Sequence, residues 1–268
     1  MPLETFVANT WEELGSVLFQ DTWNEELHRF RSNSVFRGMV NADTSLKTGL
    51  MRLGHPEDTT PNIERFLLNN FIKYAHRDAV RYNSLWNWLS LAQHHGLPTR
   101  LLDWTFSPYV ALHFAIDEMP DINTDGVVWR VNIDHVHDSL PHQLKDELAK
   151  EGFTAFTVEI LDAIAESLSA FDSLSDKTFA LFFEPPSLDQ RIVNQYALFS
   201  VMSSPTESFD AWLERQNYTS LRIIIPRQLK WEVRDKLDIL NLTERVLFPG
   251  LDGLTRWLRR YYTPRKDR

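Results

Sequence analysis

The sequence predicts a mixed α+β fold. Helical periodicity comes first along the chain, candidate strands are scattered through the rest, and no repeat, low-complexity tract or Gly/Ser linker divides it. Helices ahead of scattered strands argue against regular βαβ winding, in which the two element types alternate.

In chain order, Thr10 and Glu13 have the capping-box spacing ahead of Leu14, Val17 and Leu18, which predicts an N-terminal helix. Ser34 to Gly38 reads as a short strand that stops at its glycine, and residues 41–60 are polar and turn-rich, a loop with brief structure. Asn62 to Tyr82 carries helical spacing through Ile63, Phe66, Leu67, Phe71 and Tyr74; Leu85 to His95 is a second helix, apolar at Leu85, Trp88, Leu89 and Ala92. Val127 to Ile133 alternates like a strand after the Asp125-Gly126 turn. Helices are predicted at Leu140 to Lys150 and Phe156 to Leu168. Strands follow at Thr178 to Glu184, stopped by Pro185-Pro186, at Tyr196 to Met202 and at Leu221 to Ile225. Lys230 to Leu240 is amphipathic, Thr243 caps a short helix, and Leu254 to Tyr262 is the final one.

The stretch from Leu91 to Ile116, LAQHHGLPTRLLDWTFSPYVALHFAI, organises the rest. It reads as one helix ending, a compact turn, and a second helix beginning. Gly96 and Pro98 are a C-terminal stop signal, and Ser107-Pro108 supplies a capping hydroxyl followed by a residue preset for the first helical position. Arg100, Asp103, Trp104 and Thr105 lie between those signals, a polar density that a plain connection does not need.

Apolar content of 43% and aromatic content of 12% are those of a folded globular protein. No cysteine is present, which excludes disulfides, thiolate metal sites and a cysteine nucleophile, and fits a reducing cytoplasm. The start, MPLETFVANTWEE, has no basic region followed by an apolar run, so no secretory signal is expected. No apolar stretch approaches the roughly 20 residues needed to span a bilayer, and no membrane partner is predicted. A net charge of −9 argues against broad nucleic-acid binding. The exception is Arg256 to Arg268, where basic residues surround Tyr261 and Tyr262; it reads as a solvated helix end with a tail, or as a phosphate or partner contact.

His94-His95 and His135-x-His137-Asp138 lack a full ligand set at recognised spacing, so no metal is predicted. No Gly-rich phosphate loop and no Gly-x-Ser-x-Gly elbow is present.

Four motifs carry a family resemblance: Phe36-Arg37-Gly38 after Val35; Ala92 to Ala115; Arg191-Ile192 with Gln195 and Phe199; and LFPGLDGL, Leu247 to Leu254. With these the chain resembles the FRG domain family, named for its Phe-Arg-Gly signature. The resemblance implies a domain over residues 30–268, including the C-terminal helices, behind an N-terminal helical extension over residues 1–29. One departure is Ala197, which stands where the family's glycine is expected and bears on the backbone after Gln195. The motif order is also similar to that of ADP-ribosyltransferases: a strand ending in Arg-Gly, a Ser/Thr segment before an Ala-x-x-Phe-Ala helix, then a strand with a polar catalytic residue. This second resemblance implies a split mixed/antiparallel sheet surrounded by helices, NAD as substrate, and ADP-ribosyl transfer or NAD cleavage in a toxin-like or phage-defence setting. The acceptor, protein or nucleic acid, is left unnamed, and a non-enzymatic nucleotide-binding module on the same fold stays open.

On that reading Arg37 and Gln195 are the catalytic candidates, and Arg37, Gly38, Gln93, His94, Thr105 and Ser107 contact the nucleotide. A guanidinium at a strand end beside glycine suits a pyrophosphate or ribose; its alternative is a structural ion pair with Asp103 or another acid. Ser107 reads first as a helix cap, with a sugar contact as its alternative. Arg100, Asp103 and Trp104 are expected to brace the turn, with Asp103 partly buried and paired to Arg100 or Arg37. Gln195 can hold a ribose hydroxyl but cannot supply the negative charge that favours an oxocarbenium-like transition state. Glu184 is a candidate for that missing carboxylate; its alternative is a solvated strand end.

Overall fold

The computed structural model describes residues 3–75, 80, 82–117, 123–187, 189–218 and 220–264. In chain order the elements are β1 (Glu4–Val7), α1 (Trp11–Leu18), β2 (Trp23–Asn24), β3 (Arg29–Phe30), β4 (Ser34–Met39), a 3-10 turn (Met51–Leu53), α2 (Thr60–Tyr74) and α3 (Leu85–His94). They continue with β5 (Leu102–Thr105), α4 (Pro108–Ala115), β6 (Gly126–Asn132), α5 (Ile133–His137), α6 (His142–Glu151), β7 (Phe156–Thr157), α7 (Val158–Ile164) and α8 (Leu168–Asp172). The last are β8 (Ala180–Glu184), α9 (Gln190–Asn194), β9 (Ala197–Met202), α10 (Phe209–Gln216), β10 (Ser220–Ile225), α11 (Lys230–Ile239), α12 (Glu244–Leu247) and α13 (Leu251–Tyr261).

One eight-stranded sheet, in the order β1-β10-β6-β4-β5-β9-β8-β7, is surrounded by helices. Its edge pairs, β1 with β10 and β7 with β8, are parallel, and the inner pairs are antiparallel. The inner pairing weakens at one place. β4 and β6 are in register from Ser34–Asn132 to Met39–Val127, and β5 and β9 from Leu102–Ser200 to Thr105–Ala197. Between β4 and β5 only Phe36 and Thr105 are registered partners. The sheet is thus two mixed halves, β1-β10-β6-β4 and β5-β9-β8-β7, that touch at one registered position and part beyond it.

Three apolar clusters cover it. One packs α1, α4 and α11 on the β4–β6–β10 half through Leu14, Phe36, Leu112, Ile223 and Val233. Another lies on the opposite face, with Trp104, Trp129, Phe182, Phe209 and Trp212. The third buries α2, α3, α7 and α8 against β8 and β9 around Trp86, Phe171 and Phe183.

The structure differs from the sequence expectations where elements are short. The segment between the stop at Gly96 and the start at Ser107 contains β5, a central strand. Its alternation, Leu102 and Trp104 buried and Asp103 exposed, is too short to stand out between two helix signals. The helix expected over Phe156 to Leu168 is a strand and two helices, because Thr157 accepts from the Ile160 amide and Ser167 from the Ala170 amide, each restarting a helix. The N-terminal segment contributes an edge strand as well as its helix; the Thr10 cap accepts from Glu13, and Glu13 accepts from the Asn9 amide. α2 ends at Tyr74, and part of its predicted continuation toward Tyr82 lies outside the described residues.

Candidate active site

The parting of β4 from β5 opens a cleft of about 750 Å³. It is walled by the end of β4, the 3-10 turn, the end of α3, β5, α9 and the start of β9. Arg37, Gly38, Gln93, His94, Asp103, Thr105 and Gln195 all line it, joined by Arg52, His95 and Arg191.

Arg37 projects from β4, and its Nη1 donates to the Asp103 carbonyl at 2.5 Å, while the Asp103 carboxylate stands 3.7 Å away. Its Nε is buried and has no partner among the described residues. Burial lowers the Arg37 pKa from its ordinary value, Asp103 opposes that shift and the Arg52 cation adds to it. Two guanidiniums that repel across a cleft, one with an orphaned N–H, are arranged for an anion. Arg52 itself is steadied by donating to the Lys47 carbonyl at 2.6 Å.

Asp103 is not the buried brace expected from its neighbours: its side chain is 58% exposed. Strand alternation explains this, since Leu102 and Trp104 take the core face and turn Asp103 to the cleft. Gln93 holds it there, donating Nε2 to the carboxylate at 2.9 Å and accepting from the Thr99 hydroxyl at 2.5 Å. Arg100 turns the other way. Its Nε donates to buried Glu64 at 2.8 and 3.0 Å, and its other nitrogens reach the half-buried Asp172 and the Met202 carbonyl. Trp104 is also a core residue, donating to Ser200 Oγ at 2.9 Å and packing on Phe182 and Phe209.

The hydroxyls are committed. Thr105 Oγ1 donates to the Gln195 carbonyl at 2.7 Å and accepts from the Ser107 amide at 3.0 Å, tying β5 to the end of α9. Ser107 does not line the cleft; its hydroxyl accepts from the Val110 amide and caps α4. Gly38 does line it, but its lack of a side chain answers to helix packing. A Cβ there would lie 1.8 Å from the Ala111 carbonyl oxygen of α4.

Gln195 donates Nε2 to the Leu247 carbonyl at 2.8 Å, and Asn194 donates to the Val246 carbonyl at 2.7 Å. These two amides pin the LFPGLDGL segment against α9. Within that segment Gly253 permits α13 to cross α12, since a Cβ would meet the Phe248 and Glu244 carbonyls. Arg260 clamps the same corner to Glu244 and Asp238, at 2.8 Å to the latter, so this part of the basic C-terminal segment is a structural ion pair. Residues 265–268 lie outside the described residues. Ala197 creates no backbone strain because it already belongs to β9; the left-handed residue is Tyr196, with φ of 47°. Glu184 ends β8 as an exposed residue away from the cleft.

A second cavity of about 780 Å³ adjoins the first, sharing His94, His95 and Arg191 with it. Its far wall is Phe248, Asp252, Thr255 and Arg256. The Arg191 and Arg256 guanidiniums sit 5.0 and 5.2 Å from the Phe248 ring centre. At the border His94 Nε2 lies 2.7 Å from Asp189 Oδ2. Burial lowers the His94 pKa, with Asp189 opposing and Arg191 and His95 adding to the shift. The other two histidines of note are structural. His137 Nε2 accepts from the Phe182 amide at 3.0 Å, and His113 faces Arg234 at 2.9 Å; burial takes the pKa of each down to about 3.

Residues 32–124, from the entry to β4 through the helix that follows β5, match the family model described as FRG domain. The chain carries an FRG domain. The matched span supplies Arg37, Arg52, Gln93, His94, Asp103 and Thr105 to the cleft, whereas Arg191 and Gln195 come from beyond it. No curated protein and no solved structure matches the chain. Among the described residues no helix is long and apolar enough to cross a membrane. Sequence reasoning did not single out Arg52 or Asp189 for the site, and it named Arg256 only within the basic C-terminal stretch. Arg52 sits in a loop without periodicity, and the Asp189 partner of His94 is 95 residues away, beyond the reach of any local pattern.

Proposed function

We propose that the cleft binds an NAD-like dinucleotide and supports ADP-ribosyl transfer or NAD cleavage. The observation that carries the reading is the buried, unpartnered Arg37 Nε beside Arg52, at the point where β4 parts from β5. A diphosphate supplies negative charge to both guanidiniums and further acceptors to Arg37. A split of the sheet at an Arg-Gly strand end is what the resemblance to ADP-ribosyltransferases implies. Asp103, rather than Glu184, is the carboxylate of the cleft, and its exposed charge suits an oxocarbenium-like ribose. The volume of the cleft falls in the range of small-molecule sites, about 300–1,000 Å³.

A non-enzymatic nucleotide-binding module is the second reading, favoured by one feature. Gln195 is an amide where charge is wanted, and its Nε2 is committed to the Leu247 carbonyl. Incubating the protein with NAD and measuring released nicotinamide separates the two. Release that disappears in a folded Arg37→Ala variant supports the enzyme; binding without release supports the module. A wild-type protein that neither binds nor cleaves NAD overturns both.

A further inference from the structure

The two cavities meet at His94, and this residue has the setting of a base rather than of a ligand-holding group. We propose that His94, oriented by Asp189, is the general base that takes the proton of an O–H acceptor seated in the second cavity, between Arg191 and Arg256. The inference rests on the NAD reading of the first cavity and assigns the adjoining one to the acceptor.

The orientation is fixed from both ends. His94 closes α3, and Arg191 donates to the His94 carbonyl at 3.4 Å. Asp189 caps α9: its Oδ1 accepts from the Arg191 amide at 2.8 Å and from the Ile192 amide at 3.2 Å, leaving Oδ2 for His94 Nε2 at 2.7 Å. A carboxylate on Nε2 places the neutral ring's proton there and makes Nδ1 the acceptor. Among the described residues Nδ1 of His94 has no hydrogen-bond partner, nor is it a sealed polar atom. The groups around the ring are Asp189, Arg191 and His95, and burial outweighs the carboxylate, so the ring is neutral at neutral pH and free to take a proton. The side chain is 10% exposed and lines both cavities.

The step balances. The acceptor O–H gives its proton to His94 Nδ1, and its oxygen pair forms the bond to ribose C1′. The bond from C1′ to the nicotinamide nitrogen breaks, and its electron pair returns to the ring, which leaves as neutral nicotinamide. Water is the smallest such acceptor and yields ADP-ribose. A larger acceptor carrying an anionic group gains Arg191 and Arg256 as partners.

The test uses the full chain with NAD and water as acceptor, and follows NAD affinity by calorimetry and nicotinamide release across pH. For His94→Gln the expected result is affinity within about threefold of wild type and kcat down by about 10²–10⁴-fold. Wild-type kcat rises with pH through an apparent pKa below the ordinary histidine value of about 6.5. Asp189→Asn removes a charge that favours imidazolium, so it lowers kcat and moves that limb to lower pH. Added imidazole restores part of the activity of His94→Ala. Independently of turnover, ring NMR of the wild type shows Nδ1 unprotonated at neutral pH. Unchanged kcat in His94→Gln, equal loss of affinity and kcat, or a proton on Nδ1 overturns the assignment. NAD bound but never cleaved by wild type overturns it and spares the nucleotide reading; no NAD binding overturns both.

Discussion

Arg100 just precedes β5 and Arg37 lies on the neighbouring β4, and the contrast between them separates the scaffold from the site. Arg100 is 2% exposed at its side chain and faces two carboxylates and a carbonyl, every one supplied by the protein: Glu64, Asp172 and Met202. Arg37 is half-buried with a sealed Nε, yet it holds one backbone carbonyl, a carboxylate at 3.7 Å and nothing at that Nε, while Arg52 repels it. A guanidinium whose partners are complete within the fold stabilises it. One left incomplete in a cleft carries a cost that a ligand can remove. Predictions follow from that difference in order of size.

The largest effect belongs to the completed pair. Arg100→Met strands Glu64 and Asp172 and should lower the unfolding free energy by about 3–5 kcal/mol in chemical denaturation. A loss below about 1 kcal/mol breaks the comparison at its structural side. Acid comes next. His113 and His137 have folded pKa values of about 3, far below the ordinary unfolded value, so the unfolded state binds more protons between those limits. Stability is therefore complete above about pH 6.5 and lost as pH falls toward 3, with each histidine contributing a loss of about 2 kcal/mol by pH 5. Denaturation at a series of pH values reads this, and His137→Gln should flatten the dependence.

Gly38→Ala sharpens the boundary, because Gly38 lies on the cleft but answers to α4. The added methyl meets the Ala111 carbonyl, and a destabilisation of about 1–3 kcal/mol is expected whether or not nucleotide is present. Ser107→Ala should cost about 1 kcal/mol through the lost α4 cap, with NAD affinity unchanged. Weakened binding there, at equal folding, returns Ser107 to the site.

How much of this was legible depended on distance along the chain. The helix signals at Ser107-Pro108 and Thr10–Glu13 are local, and the structure uses both as caps. β5 was hidden because four residues between a helix stop and a helix start leave no room for alternation to register. The partners of Arg100 lie 36 and 72 residues away, so its pairing with Asp103, close in sequence, looked natural and is not what the fold makes. Asp103 went from brace to cleft because it lies on that hidden strand: Leu102 and Trp104 take the core face, and alternation turns the residue between them outward. Arg37, Gln93, His94, Thr105 and Gln195 were gathered by motif, and the structure sets them around one cavity. Arg52 and Asp189 had no motif to mark them.

The most direct test of the central claim is calorimetric titration of NAD into the wild-type protein and into Arg37→Gln, with thermal stability measured alongside. Wild type should bind, and Arg37→Gln should bind about 10–100-fold more weakly, as expected for a lost charge-assisted contact of about 1.5–3 kcal/mol, at an unchanged melting temperature. Equal affinity in the two proteins, or no binding by wild type, contradicts the account.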